Sequence, residues 1–492
     1  MSRCGSCFAA LGALMLTPAL ARADRCSDLV AALSNQIVTG SAVCFESTDL
    51  TTNNVETTPP NNSLPGWPAF AFTPITDRGV ISPDAPNHTP ITKAVPGIQL
   101  ETYLTGDPTG EARFLLRLPD DWNGNLVVAG ASGTRSEFNG DFAWSDYVVQ
   151  KGYAYASQNK GVMNLRLVGV FATPPASDPL ACRLNPSSTV WVHFYDDDPA
   201  KPFTEWQDRI VQAAQVARDG VKASYGHEPR RTYAVGTSNG GYQVRRAMEE
   251  APDLFDGGVD WEGTFVDPSA NNVLGYLPTA VEWYPAYAAS GFDASSTAAQ
   301  MIQAAGYPPD IVQGGVSLWG LYNAQFWEVT ECQWQKRLDP TYDTYGSGTG
   351  SYDYLARTLV SDVAQNLAAF GTTGKIKKPL ITVAGTMDAL LPIVHQARAY
   401  AAAVASSRKG NDLHREPQYR LYEVQNGNHI ESYATTFPQL QILQPHAHKA
   451  FDLLVEHVED DAALPPDQCI PLGGSISASA TQPGYCAELL AQ

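Results

Sequence analysis

The sequence has little positive charge and no long apolar stretch. Its 492 residues include 32 lysines and arginines against 51 aspartates and glutamates, which gives a formal net charge of −19. A surface this acidic repels the phosphates of nucleic acids and of anionic membranes, so we expect neither as a partner. No segment reaches the roughly 18 consecutive apolar residues of a membrane-spanning helix, so we expect no membrane insertion. The 44% of hydrophobic residues are instead enough for a large core.

The N-terminal residues have the pattern of a secretory signal. Arg3 supplies positive charge, a short apolar run extends from Phe8 to Leu16, and Ala21-Arg-Ala23 offers a cleavage site of the A-x-A type. We therefore interpret residues 1–23 as a signal peptide and expect a secreted or periplasmic protein.

The cysteines lack the spacing of metal ligands. The chain has eight, of which Cys4 and Cys7 precede the expected cleavage point, so six remain in the mature chain. None of the six forms a C-x-x-C pair, which argues against a zinc site. An even number in an exported chain indicates disulfides, for which six cysteines allow fifteen pairings. The simplest set is Cys26–Cys44, Cys182–Cys332 and Cys469–Cys486.

One stretch carries a chemical motif in its proper context. Tyr233-Ala-Val-Gly-Thr-Ser-Asn-Gly-Gly-Tyr242 runs from an apolar strand through a G-x-S-x-G turn into a helix, which is the arrangement of a nucleophile elbow. The glycines at 236 and 240 remove side chains that would collide at so sharp a turn. We predict that Ser238 is a nucleophile and that the backbone N–H of Asn239 contributes to an oxyanion hole. A bare G-x-S-x-G also occurs by chance, so the flanking strand and helix carry the prediction.

Strands alternate with helices along most of the chain. Two strands about a turn, at 98–104 and 112–118, are followed by apolar runs that predict strands at 126–129, 153–156, 257–260, 379–384 and 419–424. A capping-box pattern at Thr204-Glu-Trp-Gln207 predicts the start of a long helix that extends to about Ser224. The alternation predicts an α/β protein with a mostly parallel central sheet that is covered on both faces.

The alternation stops between residues 262 and 375, where helical patches, glycine and proline turns and aromatic residues crowd together. We interpret this segment as an inserted cap, or lid. Some of its aromatic residues are expected to contact substrate, although the alternative is that they form the cap's own core. The candidate substrate-binding residues, with one at the cap boundary, are Trp261, Trp283, Trp319 and Trp327. The predicted division is a signal peptide (1–23), an N-terminal wrapping segment (24–95), an α/β core (96–261 and 376–460), the cap (262–375) and a C-terminal tail (461–492).

A serine nucleophile needs an imidazole to take its proton and a carboxylate to orient that imidazole. On an elbow of this kind the three residues follow in the order serine, acid, histidine, and the acid and histidine each come after a strand. The strand that ends at Ala384 leads to Asp388, and the strand that ends at Val424 leads to His429. We therefore predict Asp388 as the acid and His429 as the general base. The other acids considered are Asp260, Glu262, Asp267, Asp339 and Asp343.

A second oxyanion donor is expected from the loop that follows the strand at 126–129. Gly130, Ala131 and Ser132, which precede Gly133, can bring a backbone N–H close to Ser238. The sequence leaves open which of these residues donates.

Leu118-Pro-Asp-Asp-Trp-Asn-Gly124, Ala251-Pro-Asp-Leu-Phe-Asp-Gly257 and the loops of Asp388 and His429 occur together with the elbow. In this combination they resemble the tannase and feruloyl esterase family of α/β-hydrolases, over roughly residues 110–265 and 378–455. The resemblance implies an α/β-hydrolase fold with an inserted cap and an esterase for aromatic acids. That family usually has cysteines directly before the serine and directly after the histidine, where this chain has Thr237 and Ile430.

Two further features follow from resemblances. Tyr153-Ala-Tyr-Ala156, Asn159-Lys-Gly161 and Ser238-Asn-Gly-Gly241 are similar to secreted hydrolases of 3-hydroxybutyrate oligomers. The caps of the tannase-like family often hold a calcium ion, which makes a structural calcium in the lid a hypothesis even though the D-x-D-x-D-G spacing is missing. Its candidate ligands are Asp339, Asp343 and Asp353. No other metal and no organic cofactor is expected.

Together these patterns predict a secreted serine esterase that acts on a small-molecule or oligomeric ester. The expected substrates are esters of aromatic acids of the hydroxycinnamoyl or galloyl type. The alternative is an aliphatic hydroxyacid oligoester, such as a 3-hydroxybutyrate oligomer. A second alternative is a non-catalytic exported binding protein on the same fold, against which the ordered serine, acid and histidine argue.

Overall fold

The computed structural model of the chain describes residues 24–57, 89–133, 136–162, 166–169, 178–194, 203–342, 352–408, 418–479 and 484–491. The predicted signal peptide (1–23), residues 58–88 of the predicted wrapping segment and Asp343 lie outside the described residues.

The described residues form strands and helices in the alternation that the sequence predicts. The strands are β1 Val43–Ser47, β2 Gly97–Tyr103, β3 Arg113–Pro119, β4 Asn125–Gly130, β5 Ala154–Gln158, β6 Arg166–Gly169, β7 Cys182–Arg183, β8 Trp191–His193, β9 Arg231–Thr237, β10 Gly257–Trp261, β11 Val312–Gln313, β12 Val316–Ser317, β13 Leu380–Gly385, β14 Tyr419–Val424 and β15 Gln468–Ile470. The α-helices are α1 Arg25–Ala32, α2 Asp146–Val149, α3 Thr204–Tyr225, α4 Asn239–Glu250, α5 Val273–Ala289, α6 Thr297–Ala304, α7 Leu318–Tyr322, α8 Glu328–Leu338, α9 Tyr354–Thr358, α10 Val363–Ala369, α11 Ala397–Ser407 and α12 Gln444–Asp460.

A ten-stranded sheet forms the centre of the core, in the order β1-β2-β3-β5-β4-β9-β10-β13-β14-β15. The strands from β1 to β5 in this order pair antiparallel, whereas those from β5 to β15 pair parallel. The parallel strands β4, β10 and β13 are buried along their whole length, as expected for strands that helices cover on both faces.

Side chains alternate between the two faces of a sheet along each strand, so the contacts of a single strand show which helices cover each face. In β4, Leu126 and Val128 pack in one core cluster with residues of α3, α4 and α11. The intervening Val127 and Ala129 pack in a second cluster with residues of α2 and α12. A mostly parallel sheet between two helical layers, with a helix that starts directly after β9, is the α/β-hydrolase fold.

The chain between β10 and β13, which the sequence predicts to be a cap, packs in a third apolar cluster that also includes Trp206 of α3 and Tyr242 of α4. This core contains aromatic and aliphatic side chains from helices α5 to α10. The small sheet β6-β8-β7 contributes Cys182 and Val192 to the same core, and a disulfide joins Cys182 on β7 to Cys332 on α8. Cys182 and Val192, assigned to the α/β core from the sequence, therefore pack with the predicted cap segment.

All three disulfides have the pairing that the sequence favoured. Cys26–Cys44 joins α1 to β1, and Cys469–Cys486 joins the edge strand β15 to the last described residues of the tail. The third is the Cys182–Cys332 link to the cap. Among the described residues, no helix is both long and apolar enough to span a bilayer.

The prediction of a capping box at the start of α3 is wrong, although the helix itself is close to its predicted range. The residue before the helix is Phe203, which has a left-handed φ of 59°, and no side chain caps the helix. Thr204 is the first helical residue rather than the N-cap, so it is out of register for the reciprocal bonds of a capping box.

Three glycines allow the backbones of α4, β4 and β9 to approach closely. A Cβ atom added to Gly240 would lie 2.5 Å from the carbonyl oxygen of Gly130, and one added to Gly236 would meet the backbone of Gly240. The turn after β9 can therefore be sharp because neither element carries a side chain at the contact.

We expect Gly240→Ala to lower the free energy of unfolding by about 3 kcal/mol. The added Cβ atom collides with the backbone of Gly130, which cannot move away unless the helix is displaced from the sheet. Gly40→Ala is the control, since nothing lies within 4 Å of a Cβ at that position. Urea denaturation of both variants measures the difference, and equal stabilities would contradict this account of the contact.

Candidate active site

The predicted site residues lie at the carboxyl ends of four neighbouring strands. In spatial order these strands are β9, β10, β13 and β14. Ser238 follows β9, Glu262 follows β10, Asp388 lies in the loop after β13, and His429 lies in the loop after β14. All four residues are at least nine-tenths buried. The topology thus brings together, at one edge of the sheet, residues that are far apart in the sequence.

Ser238 occupies the strained turn of the elbow. Its φ is 59° and its ψ is −121°, a conformation that costs free energy for any residue with a Cβ. Two hydrogen bonds hold the turn, since the Ser238 N–H donates to the Trp261 carbonyl at 2.8 Å and the Ser238 carbonyl accepts from the Tyr242 N–H at 3.0 Å. The serine therefore stands between the end of β9 and the first turn of α4.

Asn239 is the first residue of α4, so its backbone N–H has no acceptor within the helix. It lies at the positive end of the helix dipole, which favours negative charge nearby. The side-chain oxygen of Asn239 accepts from the Thr264 hydroxyl at 3.0 Å, which fixes the residue without using its N–H. This geometry suits the predicted role of Asn239 as an oxyanion donor.

The loop after β4 is held differently from the prediction. The Ala131 N–H donates to the side-chain oxygen of Gln243 at 3.0 Å, and the Ser132 N–H donates to that of Asn139 at 2.8 Å. Gly130 is the last residue of β4 and pairs with Gly236 of β9. The expectation that Ala131 or Ser132 offers a free N–H is therefore not met, because side chains from α4 and from the loop occupy both donors.

The side chain of Lys160 holds the loop after β4 in place. Its side chain is fully buried, and its ammonium group donates to the carbonyl oxygens of Ala131 at 3.2 Å, Ser132 at 2.5 Å and Gly133 at 2.5 Å. Sequence reasoning missed this role. The available signal was a lysine two residues after the end of a strand that is buried throughout, where a cation needs several acceptors.

Replacement of Lys160 by methionine should destabilise the protein by about 3 kcal/mol, because three buried carbonyl groups would lose a charged donor. Lys151→Met is the matched control. That side chain is partly exposed and makes an ion pair with Asp452, so its removal should change stability by less than about 1 kcal/mol. Thermal unfolding of the two variants checks the difference, and a Lys160→Met protein as stable as the control would show that the loop does not depend on the ammonium group.

Asp388 and His429 form a hydrogen-bonded pair. Nδ1 of His429 lies 2.8 Å from Oδ2 of Asp388, and the other carboxylate oxygen accepts from the N–H groups of Leu390 at 2.8 Å and Leu391 at 2.7 Å. Because a carboxylate only accepts, Nδ1 must carry the proton, which leaves Nε2 unprotonated. The imidazole is thus held in the tautomer that can accept a proton at Nε2.

Glu262 is the second acid next to His429. Its Oε2 lies 3.5 Å from Nδ1 of the histidine, and its Oε1 accepts from the Gly385 N–H at 3.2 Å. Burial raises the pKa of Glu262 well above its ordinary value, and the nearby charge of Asp388 raises it further. Ionisation of Asp388 therefore opposes ionisation of Glu262.

The other acids considered from the sequence are engaged elsewhere. Asp260 is fully buried and pairs with Arg245 at 2.6 Å. Asp267 caps a turn by accepting from Ser269 at 2.8 Å. The structure therefore brings only Asp388 and Glu262, of the described acids named from the sequence, within 4 Å of His429.

The predicted cap ligands for calcium have other partners. Asp339 accepts from Arg357 through both carboxylate oxygens, at 2.6 and 2.8 Å, and Asp353 caps α9 by accepting from the Ala356 N–H at 3.0 Å. Among the described residues, the ligand atoms that cluster like a metal site belong to Glu262, Asp388 and His429. Two of these are already joined by the Nδ1–Oδ2 hydrogen bond.

Most of the predicted substrate-binding tryptophans are buried. Trp319 and Trp327 lie in the core of the cap, where their indole N–H groups donate to the carbonyls of Pro308 and Ala389. Neither has free surface for a substrate, so their assignment as binding residues is corrected. Trp261, the last residue of β10, is buried and packs edge-on against Trp144. Of the four predicted tryptophans, only Trp283, on α5, is partly exposed.

Comparison with known families finds sequence similarity in the C-terminal half. A family model described as 3HB-oligomer hydrolase matches residues 349–484, which include Asp388 and His429 but not Ser238. A D-(-)-3-hydroxybutyrate oligomer hydrolase from Burkholderia vietnamiensis is 32% identical over 125 residues, or 24% of this chain and 17% of that protein. One from Burkholderia thailandensis is 36% identical over 105 residues, or 20% of this chain and 14% of that protein. The matches thus span about a sixth of the length of these relatives.

Comparison with solved structures finds partial similarity to esterases. Feruloyl esterase B from Aspergillus oryzae aligns with a TM-score of 0.45 and 14% identity, over 81% of this chain and 87% of that one. Tannin acyl hydrolase from Aspergillus niger aligns with a TM-score of 0.49 and 12% identity, over 90% of this chain and 88% of that one. Both resemblances stated from the sequence motifs therefore recur in the comparisons.

Proposed function

We propose that the protein is a serine hydrolase of carboxylic esters. The observation that carries the proposal is the oriented Asp388–His429 pair at the same sheet edge as Ser238 on its strained elbow. A serine on such a turn, an imidazole with an unprotonated Nε2 and a carboxylate on Nδ1 are the parts of acyl transfer. Similarity to hydrolases of oligomeric esters supports the same class.

The proposed reaction forms an acyl-enzyme. His429 takes the proton of the Ser238 hydroxyl on Nε2 as the oxygen attacks the ester carbonyl, and Asp388 stabilises the resulting imidazolium. The Asn239 N–H stabilises the negative oxygen of the tetrahedral intermediate. The intermediate then collapses, and the departing alcohol takes the proton from His429. A water molecule that His429 deprotonates attacks the acyl-enzyme and releases the acid and free Ser238.

Aliphatic hydroxyacid oligoesters are the favoured substrate class. The family match and the curated relatives concern hydrolases of 3-hydroxybutyrate oligomers. The arguments for an aromatic acid were the resemblance to the tannase and feruloyl esterase family and the tryptophans of the predicted cap, of which Trp319 and Trp327 are fully buried. Esters of hydroxycinnamoyl or galloyl acids remain the second candidate, which the partly exposed Trp283 favours. Export to the periplasm or the medium is part of the proposal, and the three disulfides support it.

Ser238→Ala should reduce ester hydrolysis by about 10⁴-fold or more, because the attacking oxygen is removed. The matched control is Ser157→Ala, which deletes a buried hydroxyl in β5 outside the site. Circular dichroism would establish that both variants are folded. A fluorophosphonate should form an adduct on Ser238 in the wild-type protein, and turnover or labelling that survives in Ser238→Ala would overturn the assignment. A wild-type protein that neither turns over esters nor labels would indicate a binding function.

The substrate class is tested by mass spectrometry of the products from a mixed panel of esters, with Ser238→Ala as the blank. The panel contains 3-hydroxybutyrate oligomers, feruloyl and galloyl esters, and monoesters of aromatic diacids. We expect release of 3-hydroxybutyrate and shorter oligomers to exceed release of aromatic acids by at least about tenfold, since Trp319 and Trp327 have no exposed surface for an aromatic ring. The reverse preference would assign the protein to aromatic esters.

A further inference from the structure

We infer that Glu262 is a second acidic partner of His429, a positioning residue that can hold the imidazole in place of Asp388. The inference rests on the proposed function, because it concerns the histidine that serves Ser238. It goes further by assigning a role to an acid that the ordered serine, acid and histidine do not use.

The backbone places the Glu262 carboxyl next to the ring. Glu262 directly follows β10, the strand between those that lead to Ser238 and Asp388, and its N–H donates to the Val383 carbonyl at 2.8 Å. Its φ of 53° lies in the left-handed region, which non-glycine residues rarely adopt. Such a conformation persists only where the surrounding structure enforces it, and here it turns the side chain towards the loops of Asp388 and His429.

One carboxylate oxygen of Glu262 lies close to His429 but makes no hydrogen bond. Oε1 is fixed by the Gly385 N–H, whereas Oε2 is buried without a hydrogen-bond partner and lies 3.5 Å from Nδ1 of His429. A shift of about 0.5 Å would bring Oε2 within hydrogen-bonding distance of Nδ1. A buried oxygen without a partner is costly, so its position beside the ring calls for a role in the site.

The charges around Glu262 explain why it does not accept a hydrogen bond from Nδ1 of His429 while Asp388 is present. Desolvation raises its pKa, and the carboxylates of Asp388, Glu431 and Asp260 add to the effect in that order. Asp260 is itself paired with Arg245. Two ionised acids beside one imidazole repel each other, so the charge of Asp388 disfavours ionisation of Glu262. The groups that face Glu262 from the packed elements are Asp260 on β10, Asp388 after β13, His429 after β14, Glu431 in the 3₁₀-helix Glu431–Thr435, and Tyr322 on α7.

Removal of Asp388 should therefore bring Glu262 into use. The largest neighbouring charge that opposes its ionisation disappears, so the pKa of Glu262 falls from its raised value while burial still keeps it above the ordinary value. Below that pKa the neutral carboxyl cannot hold Nδ1–H as a carboxylate would. Above it, the ionised carboxylate accepts from Nδ1 and restores the tautomer, so activity should rise with pH.

The test compares wild type, Asp388→Ala, Glu262→Gln and the double variant between about pH 6 and 10, by fluorophosphonate labelling of Ser238 and by hydrolysis of the best panel ester. We expect Asp388→Ala to lose about 10²-fold at about pH 9 and the double variant about 10⁴-fold, the usual cost of losing the acid. Both variants gain rate as the general base His429 loses its proton, but Asp388→Ala should gain more with pH than the double variant does. Coincident rates of the two variants at every pH would overturn the inference.

Glu101→Gln is the control for a titrating carboxyl elsewhere. Burial raises the pKa of Glu101 to about 7, but the residue lies on β2, far along the sheet from His429. Its replacement should leave the pH profile of Asp388→Ala unchanged. A profile altered equally by Glu101→Gln and by Glu262→Gln would mean that the pH step is a general charge effect, which also counts against the inference.

A readout on the histidine separates this inference from the proposed function. If the wild-type protein neither labels nor turns over esters, the proposed function fails, but the Nδ1 proton of His429 still reports on Glu262 by proton NMR. The downfield signal of this proton should persist in Asp388→Ala at about pH 9 and be lost in the double variant. If Asp388→Ala does not fold, the single variant Glu262→Gln is the test. In the wild-type protein, ionisation of Glu262 at high pH should shift the signal of the His429 Nδ1 proton, and Glu262→Gln should remove that shift. No difference in either comparison would reject the role of Glu262.

Discussion

The backbone contact among Gly130, Gly236 and Gly240 is the constraint on which the site depends. It lets α4 begin directly against the end of β4, so the chain can leave β9 through one strained residue. That residue is Ser238, and its strain is balanced by hydrogen bonds to Trp261 and Tyr242 on either side of the turn. The same contact sets the first turn of α4 at the sheet edge, where the Asn239 N–H lies ahead of the helical hydrogen bonds. A side chain at any of the three positions would separate the helix from the sheet and move the serine away from the loops that hold His429.

Buried polar side chains fix the rest of the site. The ammonium group of Lys160 holds the loop after β4 through three carbonyl groups, while Gln243 on α4 takes the Ala131 N–H and accepts from Gln158 on β5. The Asp388 carboxylate is held by two backbone N–H groups before it reaches His429. Groups that are desolvated and fully bonded cannot reorient cheaply, because each alternative leaves a buried donor or acceptor without a partner. The site is therefore preorganised by the fold rather than assembled when an ester arrives.

The sequence predicted those features that have a local signal, and it missed those that depend on contacts between distant segments. The buried strands, the elbow and the Asp388 and His429 loops each have a recognisable run of residues, and the simplest cysteine pairing proved to be the observed one. The strands β6 to β8 are only two to four residues long, which is too short to show a pattern. Trp319 and Trp327 look alike whether they line a pocket or fill a core, because both environments favour aromatic residues. The contacts of Lys160 and Glu262 exist only because neighbouring strands of the sheet come from remote parts of the chain.

Two acids lie beside His429, and their charges must suit the protonated imidazole that forms during the reaction. When the imidazole takes a proton from Ser238, one carboxylate suffices to balance it, and a second would bring uncompensated negative charge into a buried place. The raised pKa of Glu262 works against such a second charge, because a protonated carboxyl adds a polar group next to the ring without adding charge. Hydrolysis of a neutral ester then creates a new anion, the product acid, next to Asp388 and on a protein with a net charge of −19. Like charges disfavour a bound anion, so the electrostatics that tolerate a neutral ester also favour departure of its product. The acidity that argues against nucleic acid as a partner is thus consistent with the release step of an ester hydrolase.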